Sequence, residues 1–140
     1  MNRVLSLHEA ERRKLVAWAM EAYPHEACGL MLGRQVASGV EVSEVRRARN
    51  LDVTRARDRY ELDPVDYLAA EQTAAAQGVE LVGVWHTHPD HPARPSATDR
   101  ALAWEGWSYL IAAVSAGQVT ELRSWRLDGG PEFKEEEIRA

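Results

Sequence analysis

The sequence predicts a mixed α/β domain, of the α/β or α+β class, built around one central sheet. Apolar or alternating segments of strand length recur along the chain, and segments with helical periodicity lie between them. The two kinds of segment do not alternate regularly, as they would in a series of βαβ units. A length of 140 residues, of which 45% are hydrophobic and 28% charged, suits one globular domain that covers residues 1–140.

The N-terminal third predicts one helix followed by two strands. Ser6 and Glu9 have the spacing of a capping box, and helical periodicity continues from there to about Tyr23, where a proline follows. The segment 26–33 is short and apolar and ends in glycine, which is typical of a buried strand. The segment 39–45 alternates between apolar and polar residues and predicts a second strand.

The middle of the chain predicts a polar loop followed by a helix. Residues 46–59 are polar and rich in arginine, which indicates a long loop with some strand, and residues 60–62 form a short strand candidate. Asp63 then has the position of a helix cap, with Pro64 in the first turn. The alanine-rich helix that follows is expected to end at Gly78.

The remaining segments predict a central strand, a loop, a short helix and a hairpin, at residues 80–86, 87–95, 98–105 and 108–127 respectively. Ala116 and Gly117 provide the turn of the hairpin. The segment 128–131 contains two glycines and a proline and predicts a further turn. The acidic C-terminal end is expected either to fray or to add an edge strand.

Composition and charge argue against several classes of protein. A net charge of −5 disfavours general nucleic-acid binding, and no apolar segment approaches the ~20 residues of a membrane span. The N-terminus lacks the apolar core of a secretory signal. Because Cys28 is the only cysteine, no intrachain disulfide can form, which fits a reducing compartment. We therefore expect a soluble, cytoplasmic protein.

The basic residues are unevenly distributed, with fifteen arginines and two lysines. Six of the arginines fall within one segment, namely Arg46, Arg47, Arg49, Arg55, Arg57 and Arg59. They predict a local basic patch that could dock an acidic partner. The alternative is a solvated surface, because Asp52, Asp58 and Glu61 lie among them.

The segment GVWHTHPDHPARPSATD, residues 83–99, contains three of the five histidines and three of the six prolines. His86 and His88 lie at the end of an apolar strand and, two residues apart, face the same side. Zinc accepts nitrogen and oxygen ligands, and Asp99 can supply a third ligand while one position stays open. The alternative is an incidental surface His-x-His, with Ser96 and Asp99 as a helix-capping pair.

A hydrolytic metal site also needs a group that transfers protons, and Glu26 is the best candidate. Glu26 enters a buried apolar strand, where a carboxylate needs a partner or a function. The alternative is an exposed residue that pairs with an arginine.

Cys28, on the same side of the strand, could be a nucleophile, but a buried lone cysteine is more often a small core residue. His91, a conceivable spare ligand, lies in a polar loop and is expected to be solvated.

Together these residues resemble the pattern of the JAMM (MPN-plus) zinc metallopeptidases, of the compact stand-alone bacterial type. That pattern consists of an upstream Glu, then His-x-His-Pro, six residues, Ser, two residues and Asp. It is matched here by Glu26, by the segment HTHP at 86–89, and by Ser96 and Asp99. The segments HEACGLMLG and YELDP also resemble the family, and the similarity covers most of the chain except its C-terminal end.

The resemblance implies a fold, a site and a class of substrate. The fold would be a single MPN/JAB domain with a curved central sheet and flanking helices, akin to the cytidine deaminases. The site would hold a Zn²⁺ ion on His86, His88 and Asp99, with Glu26 as general acid/base and Ser96 as the oxyanion donor. The substrate would be a peptide or isopeptide bond at the C-terminal Gly-Gly tail of a ubiquitin-like or sulfur carrier protein.

Two alternatives remain open at this level. The same cleft could belong to a non-catalytic binding module that holds a peptide tail or a partner protein. Iron or another metal could replace zinc in the cell. We expect the tail of an acidic carrier to enter the cleft as an extended strand that adds to a sheet edge, where main-chain hydrogen bonds would hold it.

Overall fold

The computed structural model describes residues 3–52, 60–127 and 129–140. Within these ranges the chain forms, in order, β1 Val4–Leu7, α1 Glu9–Ala22, β2 Cys28–Val36, β3 Gly39–Ala48, α2 Pro64–Gln77, β4 Glu80–Pro89, α3 Ala97–Leu102, β5 Ser108–Ser115, β6 Gln118–Leu127 and β7 Phe133–Arg139. The two long helices have 14 residues each. None of the helices in these ranges combines the length and the apolar character that crossing a membrane requires.

The strands form one mixed, curved sheet in the order β1-β3-β2-β4-β5-β6-β7. The pairs β1–β3, β1–β7 and β4–β5 are parallel, and the other pairs are antiparallel. Because the sheet is curved, β7 pairs with β1 as well as with β6. The predicted fold class, a mixed α/β domain with a curved central sheet and flanking helices, is confirmed.

The two long helices cover opposite faces of the sheet, and consecutive residues of β4 show the division. Trp85 packs into the core that includes Leu15 of α1, whereas Val84 packs into the core beneath α2. Successive side chains of a strand point to opposite faces. His86 and His88 therefore lie on the α2 side with Val84, at the carboxyl end of β4.

The predicted capping box at Ser6 and Glu9 is wrong. Ser6 lies within β1, and α1 begins at Glu9 with His8 as its N-cap and without a side-chain cap hydrogen bond. The buried side chains of Leu5 and Leu7 explain the difference. Pairing of β1 with β3 and β7 places both leucines in the core, which holds Ser6 in an extended strand away from the helix.

Helix α2 begins and ends where the sequence predicts. The Asp63 carboxylate accepts a hydrogen bond of 2.9 Å from the Val65 N–H, and Pro64 occupies the first position of the helix. Gly78 adopts the left-handed conformation with φ of 70°. Glycine has no β-carbon to strain there, so the helix ends at this residue.

Several predicted boundaries are wrong because strand pairing extends further than the local sequence indicates. Arg46 and Arg47, predicted to begin a loop, lie in β3 and pair with β2. Strand β4 continues to Pro89 through both histidines, since it pairs with β5 along this length. The helix predicted at 98–105 is α3, which ends earlier, at Leu102.

The C-terminal end neither frays nor forms an edge, because β7 lies between β6 and β1. The predicted hairpin of β5 and β6 is confirmed, with Ala116 and Gly117 in its turn. The short strand predicted at 60–62 is reduced to an isolated bridge between Leu62 and Asn50. Residues 53–59 of the predicted arginine-rich loop lie outside the described ranges.

The close approach of three strands beside the site requires glycine at position 29. Gly29 pairs with Trp85 across β2 and β4, and the Trp85 indole N–H donates a hydrogen bond of 3.0 Å to the Arg46 carbonyl oxygen of β3. A β-carbon at Gly29 would overlap both of these groups. The indole also stacks on Trp18, with ring centroids 5.8 Å apart, so it has little freedom to move away.

We therefore predict that Gly29→Ala lowers the free energy of unfolding by about 1–3 kcal/mol, the usual cost of overpacking a buried site. The measurement is urea unfolding followed by tryptophan fluorescence. Gly130→Ala is the matched control, because a β-carbon at Gly130 meets no atom within 4 Å. Equal midpoints for Gly29→Ala and the wild type would contradict the prediction.

Candidate functional site

The pairing of β2 with β4 brings together segments that are 60 residues apart in the chain. Cys28 pairs with His86, and the next residues outward, Ala27 and Thr87, form two hydrogen bonds. The Thr87 N–H donates to the Ala27 carbonyl at 3.0 Å, and the Thr87 hydroxyl accepts from the Ala27 N–H at 2.9 Å. Glu26 is thereby placed beside the two histidines, and the ligand atoms of all three side chains lie within 4.8 Å of one another.

Asp99 completes this cluster from the far side of the loop. Its Oδ2 atom lies 3.1 Å from His88 Nε2 and 3.3 Å from His86 Nε2, and the two Nε2 atoms are 3.2 Å apart. All three side chains are largely buried. The structure thus brings together the three residues that the sequence predicts as metal ligands.

The spacing of these atoms fits a tetrahedral zinc ion. Two ligands bound at about 2.0–2.1 Å would lie about 3.3 Å apart, in agreement with the distances of 3.1–3.3 Å among the two nitrogens and Asp99 Oδ2. Glu26 is the competing carboxylate, since it also lies within 4.8 Å of both histidines. Both carboxylates are thus candidates for a third ligand, and the shorter printed distances to the histidines are those of Asp99.

Contacts from neighbouring residues orient the two rings. His88 Nδ1 lies 2.9 Å from the Pro92 carbonyl oxygen, which can only accept a hydrogen bond. Nδ1 therefore carries a proton, and Nε2 is the ring nitrogen that faces the cluster. His86 is held instead by stacking on Tyr60, with ring centroids 4.6 Å apart, while its buried Nδ1 has no hydrogen-bond partner among residues 3–52, 60–127 and 129–140.

The pKa shifts in the cluster favour an ionised Asp99 and move the two histidines in opposite directions. Burial lowers the pKa of His86 and outweighs its hydrogen bond to Asp99. Burial also lowers the pKa of His88, but hydrogen bonds to Asp99 and Pro92 outweigh it, so the net shift is upward. For Asp99, burial raises the pKa, but the hydrogen bonds from both histidines prevail and hold it below its usual range.

Ser96 and Asp99 form a capping box at the start of α3. The Ser96 Oγ accepts a hydrogen bond of 3.0 Å from the Asp99 N–H, and the Ser96 N–H donates one of 2.8 Å to Asp99 Oδ2. Asp99 thus belongs both to the capping pair and to the candidate metal cluster, so the two interpretations do not exclude each other. Because the Ser96 hydroxyl accepts in this contact, its own proton remains available to another acceptor.

A cleft of about 380 Å³ opens over the cluster. Its lining includes Glu26, His88 and Asp99 on the cluster side, and Ser96 and Leu102 on the α3 side. A cavity of this size accepts a few residues of an extended chain rather than a folded domain. Three titratable residues of the cluster, Glu26, His88 and Asp99, thus line a space that a peptide segment could enter, together with Ser96.

The sequence did not single out two residues that shape this site. Thr87 is fully buried and holds the β2–β4 register next to Glu26. Tyr60 stacks on His86 and lines the cleft, and burial raises the pKa of its hydroxyl well above the usual value. The position of Thr87 between two histidines was an available signal, whereas no local pattern indicates the stacking by Tyr60.

Two alternative candidates can be assessed from their surroundings. Cys28 is buried, with its Sγ 3.9 Å from the Ala48 and Arg49 carbonyl oxygens. Burial, followed by the Glu26 charge, raises the pKa of the Cys28 thiol to about 12, which leaves it protonated and poorly nucleophilic. His91 lines the cleft but is exposed.

The predicted arginine patch is largely neutralised where the structure describes it. Arg46 pairs with Glu44 at 3.1 Å, Arg47 with Glu21 at 3.1 Å, and Arg49 with Asp63 at 3.5 Å. The other three arginines of the patch, at positions 55, 57 and 59, lie outside the described ranges. These ion pairs fit a solvated surface better than an open basic docking site.

Comparison with known proteins gives consistent matches. The profile of the family described as prokaryotic homologues of the JAB domain matches residues 8–128. The chain is 34% identical to a desampylase of Haloferax volcanii, over 94% of this chain and 92% of that protein. It is 29% identical to the CysO-cysteine peptidase of Mycobacterium tuberculosis, over 83% and 77% of the two chains. The solution structure of protein DSY2949 from Desulfitobacterium hafniense superposes with a TM-score of 0.81 at 33% identity, over 96% of this chain and 90% of that one.

We predict that Cys28 in the folded protein does not react with iodoacetamide at pH 8. With a pKa of about 12, about one thiol in ten thousand is ionised at this pH, and the thiolate is the reactive form. Mass spectrometry should detect no adduct on the native protein and one adduct after unfolding in urea. Rapid labelling of the folded protein would indicate an accessible thiolate and restore Cys28 as a candidate nucleophile.

Proposed function

This chain belongs to the family of prokaryotic homologues of the JAB domain, and we propose that it is a zinc-dependent enzyme acting on the C-terminal tail of a ubiquitin-like or sulfur carrier protein. Its class, a hydrolase of peptide or isopeptide bonds, follows from its similarity to the desampylase and to the CysO-cysteine peptidase. The observation that carries the proposal is the convergence of His86, His88 and Asp99 within 3.3 Å of one another, beside Glu26.

In the proposed mechanism the protein side chains hold the metal and move the proton. His86, His88 and Asp99 would hold a zinc ion, which when bound acidifies water and polarises an amide carbonyl. Glu26 is buried on the same side of the sheet and lines the cleft, so its carboxylate can take a proton from the attacking water. The same carboxyl group then donates that proton to the leaving amine as the C–N bond breaks.

Ser96 is the proposed donor to the developing oxyanion. Its hydroxyl oxygen is fixed by the Asp99 N–H at 3.0 Å, and Ser96 lines the cleft at the start of α3. A donor held in place before the reaction stabilises the charge of the tetrahedral intermediate without reorganisation. The capping box at the start of α3 thus positions both Asp99, the proposed ligand, and Ser96, the proposed donor.

The cleft is proposed to take a glycine-ended tail. Its space of about 380 Å³ is lined by Tyr60 and by Pro89, Pro92 and Pro95. Glycine residues before the scissile amide would allow close approach of the backbone to the cluster. The β2–β4 pairing ends at Cys28 and His86, so within the described ranges the last residues of β4 have a strand neighbour only in β5, and the tail could add to the edge that is left there.

The first test is metal content. We expect about one zinc ion per purified chain by elemental analysis after dialysis, and loss of most of it in His88→Ala and Asp99→Ala. His91→Ala is the matched control, since His91 is an exposed histidine in the same cleft. A wild-type protein that neither contains zinc nor binds added zinc would refute the proposed site. Loss of zinc in Glu26→Gln but not in Asp99→Ala would show that Glu26, and not Asp99, is the third ligand.

The second test separates catalysis from tail binding. Glu26→Gln should keep zinc and fold normally, but should lose about 10²–10⁴-fold in kcat, because an amide cannot transfer the proton. The substrate is the ubiquitin-like protein CysO bearing a C-terminal cysteine in amide linkage, with released cysteine as the readout. Glu61→Gln, at an exposed glutamate, is the control. A wild type that binds the conjugate with the same affinity as Glu26→Gln but never cleaves it would instead establish the non-catalytic binding module.

A further inference from the structure

We propose that an apolar rim beside the cleft, formed by Leu102 and Trp104, docks the folded body of the carrier protein whose tail enters the cleft. This inference rests on the proposed function and extends it, because it identifies where the partner binds outside the active site. The rim is formed by the end of α3 and the segment that follows it.

The rim consists of two large apolar side chains that are exposed to solvent. Leu102 is 67% exposed and Trp104 is 68% exposed. Single exposed apolar residues are common on protein surfaces and need no explanation. Here, however, two of them lie two residues apart, and Leu102 also lines the cleft over the metal cluster. The rim therefore reaches the proposed tail site at Leu102.

Specific contacts hold Trp104 in its exposed position. The backbone N–H of Trp104 donates a hydrogen bond of 2.6 Å to the hydroxyl of the buried Tyr109. Its ring stacks on Trp107, with centroids 6.1 Å apart, and Trp107 stacks in turn on Tyr67 of α2 at 6.4 Å. A surface aromatic supported in this way loses little conformational entropy when a partner covers it.

The charges next to the rim have partners within this chain. Arg100 lies 3.8 Å from Glu132, and the Glu105 carboxylate accepts a hydrogen bond of 2.6 Å from the Gly129 N–H. The rim thus offers apolar contact rather than a free charge. The predicted alternative docking surface, the arginine patch, is instead occupied by ion pairs at Arg46, Arg47 and Arg49.

The size of the cleft indicates what kind of partner would cover the rim. A space of about 380 Å³ admits a tail but excludes a folded domain. When the tail occupies the cleft, the body attached to it must lie against the surface at the entrance, where the rim is. The fitting partner is a small folded protein with an exposed apolar patch close to the base of its C-terminal tail.

The test compares a whole carrier with its isolated tail. The probes are CysO with a C-terminal aminomethylcoumarin amide, and the pentapeptide of its last residues with the same fluorophore. We expect Trp104→Ala to lower kcat/KM on the whole carrier by about 30-fold, as for a buried aromatic hot spot, and to change hydrolysis of the pentapeptide less than twofold. Trp104→Phe should retain most of the activity on the carrier. Met20→Ala, at a large apolar residue of α1 that is 37% exposed, is the matched control and should change neither rate.

Binding of fluorescently labelled CysO, measured by anisotropy, tests the rim separately from the proposed enzymatic function. If the wild type hydrolyses neither probe, the proposed function fails, and weaker CysO binding by Trp104→Ala still supports the rim. Unchanged carrier kinetics and binding in Trp104→Ala would overturn the rim. Equal losses on both probes would also overturn it, because they would show that Trp104 shapes the cleft. A wild-type dimer that dissociates in Trp104→Ala would assign the rim to a second copy of this chain instead.

Discussion

The antiparallel register of β2 and β4 is the constraint on which the candidate site depends. The side-chain period of a strand is two, so a shift by one residue would move His86 and His88 to the opposite face. Thr87 prevents such a shift, because both its backbone and its hydroxyl are bonded to Ala27. Gly29 permits the close packing of the same strands. The residue between the two histidines is therefore as important to the geometry as the histidines themselves.

A cluster of two imidazoles and two carboxylates is costly to bury beside an apolar sheet. Removing charged groups from water is unfavourable unless each finds a partner. Here burial lowers the pKa of His86, which keeps that ring neutral, while hydrogen bonds from both histidines lower the pKa of Asp99 and keep it ionised. A buried carboxylate oxygen within 3.3 Å of two ring nitrogens forms a compact set of ligand atoms suited to a cation. The cluster is thus better explained as a binding site than as a contribution to stability.

The sequence predicted those features that local spacing determines. The His-x-His spacing on a strand and the Asp beyond a stiff loop were sufficient to place His86, His88 and Asp99 in one candidate cluster, and the cap at Asp63 located α2. Features set by distant pairing were missed or misassigned. Ser6 has the local pattern of a helix cap, yet tertiary pairing holds it in a strand. The stacking of Tyr60 on His86 depends on tertiary packing and leaves no periodic signal in the chain.

The Ser96–Asp99 pair shows why a structural and a functional interpretation of one motif need not compete. As a capping box it satisfies backbone N–H groups at the start of α3. The same hydrogen bond from the Ser96 N–H to Asp99 Oδ2 fixes the carboxylate that meets both histidines. Because a helix of six residues has little intrinsic stability, the cap stabilises the short helix and orients the carboxylate at once. Loss of the cap would therefore disturb the site before it disturbed the rest of the fold.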